Sequence, residues 1–300
     1  MTIASGTVIS DKVFDEERAL YRLKYATVKN CRFTGPADGE SPLKEARGIE
    51  VFDCYFALRY PLWHVRDFSL SFVELTAESR APLWYCQNGT LAHAKINSVK
   101  ALRDSERVDL VSCQIVSPEF GWKCRDIKLD ETFISAEYLF LDAQNIRLNN
   151  VRMNGKYSFQ YIENLVIEKS VLDTKDAFWH TKNAIVRNTI IKGEYLGWYS
   201  ENLTLENCTI EGTQPLCHCK GLKLKNCTMI NCDLAFEDSE VEAQVKGKID
   251  SIYAPKSGHI SCDEVGEIID GEQCHILVST KGDFYKLTFL RCPLVKTHKN

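Results

Sequence analysis

Ten side chains able to hold, stack on or move a proton recur along the middle of this sequence: His64, Tyr85, Asp104, Lys123, Asp142, Tyr161, His180, Tyr199, His218 and Glu237. From Tyr85 onward each follows the last by nineteen residues, and three of the seven histidines of the chain fall in this one column. Imidazole exchanges protons near neutral pH, and carboxylates and phenols serve as general acids and bases when placed beside it. His180 and His218, with Tyr199 between them and Asp142 in the same column, are therefore the candidate catalytic groups. The position just before each member is the second signal, because all five tryptophans, Trp63, Trp84, Trp122, Trp179 and Trp198, stand there.

Two readings of this pair of columns stay open. In one, an extended sugar chain lies along the repeat, with its CH faces on the indoles and its hydroxyls on His64, Tyr85, Lys123, Tyr161 and Glu237. In the other, the tryptophans fill the interior and the polar column is an ordinary wet face. On a strand, successive side chains point to opposite sides, so one column is expected inside and the other outside.

Two further clusters bring groups of this kind together. The insertion from Thr34 to Pro42 is built of turn residues and projects Asp38 and Glu40, with Lys44, Glu45, Arg59 and His64 nearby in register. It is expected either to close one end of a groove or to form a salt-bridged corner. Cys217, His218 and Cys219, with Cys208 and Cys227 in flanking rows, suggest a metal site, but alternation sets His218 opposite to its two neighbours and no CxxC pair completes the set. No metal is expected. A phosphate-cradling loop, a nucleophile elbow and a zinc-protease motif are all missing from the sequence, so no cofactor is expected either.

These residues are positioned by a repeat. Ile146/Leu148, Leu165/Ile167, Ala184/Val186, Leu203/Leu205 and Leu222/Leu224 recur every nineteen residues, and the same frame is found at Ala26, Ile49, Phe68, Gly89, Val108, Ile127 and, with decay, Val241. Each row alternates apolar and polar residues, breaks at a polar corner and resumes, which describes short strands joined by turns. Rows this short, without the Leu-x-x-Leu-x-Leu-x-x-Asn frame of leucine-rich repeats, suit a parallel β-solenoid. Asp67, Asn88, Asp126, Asn145, Asn164, Asn183, Asn202 and Gly221 before the strand, and Asn30, Asp53, Asn150, Asn188, Asn207 and Asn226 after it, are types that tolerate left-handed backbone. Cys31, Cys54, Cys113, Cys208 and Cys227 share one inward column, where reduced cysteine packs as a small hydrophobe.

Composition narrows the class. Lys plus Arg number 37 against 41 for Asp plus Glu, without the basic excess that phosphate-backbone binding requires, so nucleic acid is not an expected partner. No apolar stretch reaches membrane-span length, and the first twenty residues lack a basic then apolar leader, from which a cytoplasmic location is expected.

The stretches Phe14 to Leu20, Ala37 to Ser41 with Leu43 to Glu45, Arg59 to His64, and Pro255 to Gly258 with Gly266 to Ile269 carry a resemblance to a known group. With the coils, over about residues 10 to 270, the chain resembles the pectin-lyase-like right-handed β-helix superfamily and, more narrowly, a bacterial family of unknown function within it. The resemblance implies an all-β, right-handed, single-stranded parallel β-helix. About twelve 19-residue coils are expected over residues 1–270, with caps at about 1–25 and 250–270 and a C-terminal extension at 271–300. It also suggests acidic polysaccharides as a substrate class. The catalytic series of polygalacturonase-like members and the calcium carboxylates of pectate-lyase-like members are missing here, so neither mechanism carries over. The expected function is binding, and processing by lyase, hydrolase or isomerase chemistry, of a carbohydrate or sugar derivative. The alternatives are a non-catalytic scaffold recognising a protein or glycan, and self-association.

Overall fold

A computed structural model describes residues 6–36, 40–269, 271, 275–282 and 284–288. The chain divides into two compact units, residues 1–158 and 159–300. Each is built from coils of a right-handed parallel β-helix, about 14 turns in all, and no described residue is helical.

In the first unit, a long strand per coil pairs in parallel with its counterpart one coil on. Lys24–Lys29, Arg47–Phe52, Arg66–Ser71, Gln87–Ala92, Glu106–Val111, Arg125–Asp130 and Gln144–Asn149 form one ladder. Its register is the frame seen in the sequence: Ala26 opposes Ile49, Ile49 opposes Phe68, and Gly89 opposes Val108. Short strands such as Tyr55–Phe56 and Glu74–Leu75 form a second ladder. Alternation turns Val51, Leu70, Leu91, Leu110 and Leu129 inward, each at most 1% exposed. Gly89 occurs in this apolar file because the Phe68 ring fills its place; a Cβ there would lie 2.0 Å from Phe68 Cζ.

The second unit repeats the plan with Glu163–Glu168, Lys182–Arg187 and Glu201–Glu206, then Leu222–Ile230, in which the long and short strands run together. Phe159 stacks on Phe178 at 5.2 Å inside it. All described cysteines are buried free thiols, and burial pushes Cys86 and Cys124 up to about 12, as expected of sulfur used for packing.

The coil frame extends beyond the expected caps at both ends. Thr7–Ser10 pairs in parallel with Lys24–Lys29 and Val13–Phe14 with Arg32–Phe33, so the first of these segments is a coil rather than a separate cap. At the other end, Ser257–Ser261 and His275–Ser279 continue the ladder, and Phe284–Thr288 closes it in antiparallel sense. The coil count exceeds twelve for this reason.

The corners are left-handed. Asn30, Asp53, Asn88, Asn145, Asn188 and Asn207 have φ of 50–57°, and Asn145 and Asn207 donate side-chain amides to Asp126 and Asn188 one coil earlier. The segment carrying the tryptophans corrects the sequence reading, because it is a corner and not a strand. Alternate residues there are left-handed, as in Tyr60, Leu62 and His64 at 57°, 62° and 57°, or Gln214, Leu216 and His218 at 47°, 63° and 57°. None of the left-handed described residues is valine, isoleucine or threonine, whose branched Cβ collides with the backbone in that region.

That constraint is measurable. Leu129→Ile, in a strand, is expected to cost under about 1.5 kcal/mol as a volume-conserving swap. Leu62→Ile, equally buried but left-handed, is expected to cost about 1–2 kcal/mol more in chemical denaturation. Equal losses would show that the corner backbone imposes no such restriction.

Candidate functional site

The left-handed corner decides where each column points. In every coil the residue before the tryptophan position turns inward: Leu62, Leu83, Leu102 and Phe140 in the first unit and Phe178, Leu216 and Phe236 in the second are at most 2% exposed. The next two residues lie outside in most coils, as with half-buried Trp63 and exposed His64 or half-buried Trp198 and exposed Tyr199, and Cys217, buried at the tryptophan position of its coil, is an exception. Neither column forms the core, so the expectation of one inside and one outside does not hold.

The tryptophans lie flat against one another. In the first unit Trp63 and Trp84 stack at 5.1 Å and 4°, and the Arg103 guanidinium lies between Trp84 and Trp122, 5.1 and 5.3 Å from their rings. The Lys44 ammonium stands 6.0 Å from Trp63. In the second unit Trp179 and Trp198 stack at 5.4 Å and 7°. Each indole N–H donates to a backbone carbonyl of the following corner: Trp63 to Ala81, Trp84 to Lys100, Trp122 to Tyr138, Trp179 to Tyr195 and Trp198 to Gln214, at 2.6–3.2 Å. Gln160 makes the same bond to Asp176 with its amide. Stacking covers ring faces, so a sugar has edges rather than open platforms to meet along these stretches.

The polar column also stacks. His64 lies on Tyr85 at 4.7 Å in the first unit. In the second, Tyr161, His180, Tyr199 and His218 form one continuous pile with centroid steps of 4.8, 5.0 and 4.8 Å and interplanar angles of 8–11°. Their backbone N–H groups donate to the carbonyls of Trp179, Trp198, Cys217 and Glu237, which locks the rings in file. His218 Nδ1 stands 3.5 Å from an Asp238 carboxylate oxygen.

The structure therefore gathers His180, Tyr199 and His218 in the second unit, while Asp142 belongs to the first, beside Lys123, whose N–H donates to Leu141. Glu237 is displaced from its expected column. The His218 bond to its carbonyl gives Glu237 the tryptophan position and Asp238 the polar one, because one extra residue precedes it. Cys217 and Cys219 are buried, with Cys217 Sγ 3.7 Å from the Leu234 carbonyl, which takes the place an indole would use, and His218 lies outside. Glu40 pairs with Arg59 at 2.9 Å, and Glu45 with Arg22 at 2.8 Å, so this corner is salt-bridged. Asp38 lies outside the described residues.

His64 sits below the ordinary histidine value, first through partial burial, then through the charges of Lys44 and Arg66, which outweigh Glu45. The folded chain takes up this proton later than the unfolded chain as pH drops. Stability from this group is thus full above the unfolded value and is lost as pH falls through the folded one. The His64 ring resonance in NMR is expected to titrate with a midpoint below about 6.5; a midpoint at or above it contradicts this environment. For the indole bonds, Trp198→Phe preserves the stack but leaves the Gln214 carbonyl with only the weak Cys217 thiol donor, an expected loss of about 1 kcal/mol in denaturation. No loss would mean that the bond contributes nothing net.

Among solved structures, the A-module of the Azotobacter vinelandii mannuronan C-5 epimerase AlgE4 is similar at 10% identity and TM-score 0.35, covering 81% of this chain and 91% of that one. The Pseudomonas phage phi297 tailspike gp61 is similar at 10% identity and TM-score 0.40, over 81% of this chain and 48% of that one. A tailspike protein mutant of E. coli bacteriophage HK620, in complex with pentasaccharide, is similar at 7% identity and TM-score 0.39, over 91% and 72%. No curated protein matches the sequence. Over residues 7–281 the chain matches, and belongs to, the family described as "Protein of unknown function (DUF3737)".

Proposed function

We propose that the second unit binds a carbohydrate or sugar derivative along the edges of the Tyr161, His180, Tyr199 and His218 pile, and that His180 and His218 carry an acid–base step on it. The observation that supports this reading is the pile itself. Two imidazoles flank one phenol on an outer face, with Asp238 beside the last ring. Edges that alternate phenolic hydroxyl and ring nitrogen offer donors and acceptors at a coil spacing of about 4.8 Å, suited to the hydroxyls of an extended chain. Tyr199 holds the two imidazoles in parallel, and an Asp238 carboxylate oxygen stands 3.5 Å from His218 Nδ1. Lyase, hydrolase or isomerase chemistry needs such a pair and no redox group. Trp179 and Trp198 contribute to the same site through their exposed edges, and Trp63, His64, Trp84, Tyr85, Trp122 and Lys123 form a corresponding row on the first unit. A cytoplasmic location belongs to this proposal and is supported by the buried thiols.

A non-catalytic reading has its own support. The indole bonds to backbone carbonyls and the face-to-face stacking are what a corner would use simply to hold its coils together. The two readings separate in a screen of oligosaccharides read by tryptophan fluorescence and by product formation, with His180→Ala and His218→Ala beside the wild type. Saturable quenching and turnover are expected, with turnover reduced at least about 10²-fold in either variant while binding persists. Binding without turnover in any protein would favour recognition alone, and no response to any saccharide would overturn the carbohydrate reading.

A further inference from the structure

The first unit carries a second concavity, made of residues other than those of the stacked columns. A trough of about 410 Å³ runs across its first four coils, between the corner residues Asp11, Asn30, Asp53 and Phe72 and the outward short-strand residues Val13, Arg32, Tyr55 and Glu74. That volume lies within the range of about 300–1,000 Å³ typical of small-molecule sites.

Charged side chains on the coils are either closed into pairs or, like Arg66 and Lys95, open to solvent. Across much of the surface, opposite charges one coil apart close into pairs, as Lys128 does with Asp109 at 3.2 Å, Lys156 with Glu137 at 2.8 Å and Arg187 with Glu206 at 2.7 Å. In the trough, Lys12, Arg32, Asp53 and Glu74 make no side-chain hydrogen bond or ion pair with any described residue. The one contact among them is the Arg32 guanidinium, 4.1 Å over the Tyr55 ring, which holds that cation in place without consuming its hydrogen-bond donors. Asp11 is engaged by the Asn30 amide at 2.6 Å.

Apart from the Asp11 carboxylate, which Asn30 engages in the first coil, the charges are sorted along the trough. Lys12 and Arg32 belong to its first two coils, Asp53 and Glu74 to the next two, with the Tyr55 ring between. Arg32 and Glu74 are two coil steps apart in one file, or about 10 Å at the spacing of paired strands.

We infer that this trough binds a short zwitterionic peptide, its carboxylate on Arg32 and Lys12 and its ammonium group on Asp53 and Glu74, with the intervening backbone across Tyr55. A neutral sugar would leave four charges unanswered, and a simple anion or cation would satisfy one end while meeting like charge at the other. A guanidinium presents paired donors that fit a carboxylate, and two carboxylates enclose an ammonium with acceptors. The length fits a di- or tripeptide better than a single amino acid, whose charges lie too close together to reach both ends.

The test is a titration of the whole chain with Ala-Ala-Ala, followed by ¹H–¹⁵N NMR, beside the N-acetylated and the C-amidated tripeptide. Saturable shifts centred on Arg32, Tyr55 and Glu74 are expected, with affinity reduced at least tenfold by either cap. Arg32→Gln is expected to remove the effect of C-amidation and Asp53→Asn that of N-acetylation, in proteins whose spectra are otherwise unchanged. An amino-sugar acid of similar span that outcompetes the tripeptide, shifts that do not saturate, or affinity indifferent to both caps would overturn the proposal.

Discussion

The bond on which the corner depends runs from the backbone N–H of a polar-column residue to the carbonyl of the tryptophan-position residue one coil on, as from His64 to Trp84 and from His180 to Trp198. To aim that N–H along the coil axis, the chain adopts left-handed backbone at alternate positions, and the side-chain directions follow. One residue goes to the interior and, except at buried Cys217, the next two go outside. The interior residue cannot be β-branched, which is why leucine and phenylalanine, with glycine at Gly121 and Gly197, hold that file. At Gly121 a Cβ would come within 2.3 Å of the Phe140 ring, so the large neighbour and the missing side chain imply each other.

The same geometry sets the chemistry within reach. Because coils repeat at a distance close to ring-stacking thickness, flat side chains at equivalent corner positions are drawn into piles, and the piles conceal faces while leaving edges wet. Indoles satisfy a neighbouring carbonyl and so double as fasteners. Imidazoles and phenols, one position further out, keep nitrogen and oxygen at the surface. This face offers hydrogen-bonding edges rather than stacking platforms.

Much of this was legible in the residues. The nineteen-residue frame fixed the pairing partners, such as Leu165 with Ala184 and Leu205 with Leu224, because parallel in-register strands oppose residues of one column. Asn145 and Asn188 announced left-handed corners by type. The tryptophan segment was misjudged because alternation in a strand and alternation of left-handed residues in a corner produce a similar period of two. The distinguishing signal was present: valine, isoleucine and threonine never occupy Leu62, His64 or their equivalents. Asp238 was missed because a single added residue shifts the last row, and sequence spacing does not reveal on which side of a column an addition is absorbed. The trough was out of view altogether, since Asp53 and Glu74 are ordinary surface residues until the coil sets them beside Arg32 and Tyr55.

The reversed strand at the end of the ladder has a consequence for assembly. A stack of identical parallel rungs has no intrinsic length, and any exposed last rung would serve as a template for another chain's first. Phe284–Thr288 runs against His275–Ser279, so the last described rung has the opposite direction to its predecessors. A further rung in the direction of its predecessors would have to pair with it in antiparallel sense. The turn in direction interrupts the parallel frame, so a chain extending the ladder past this strand would have to change its sense of pairing.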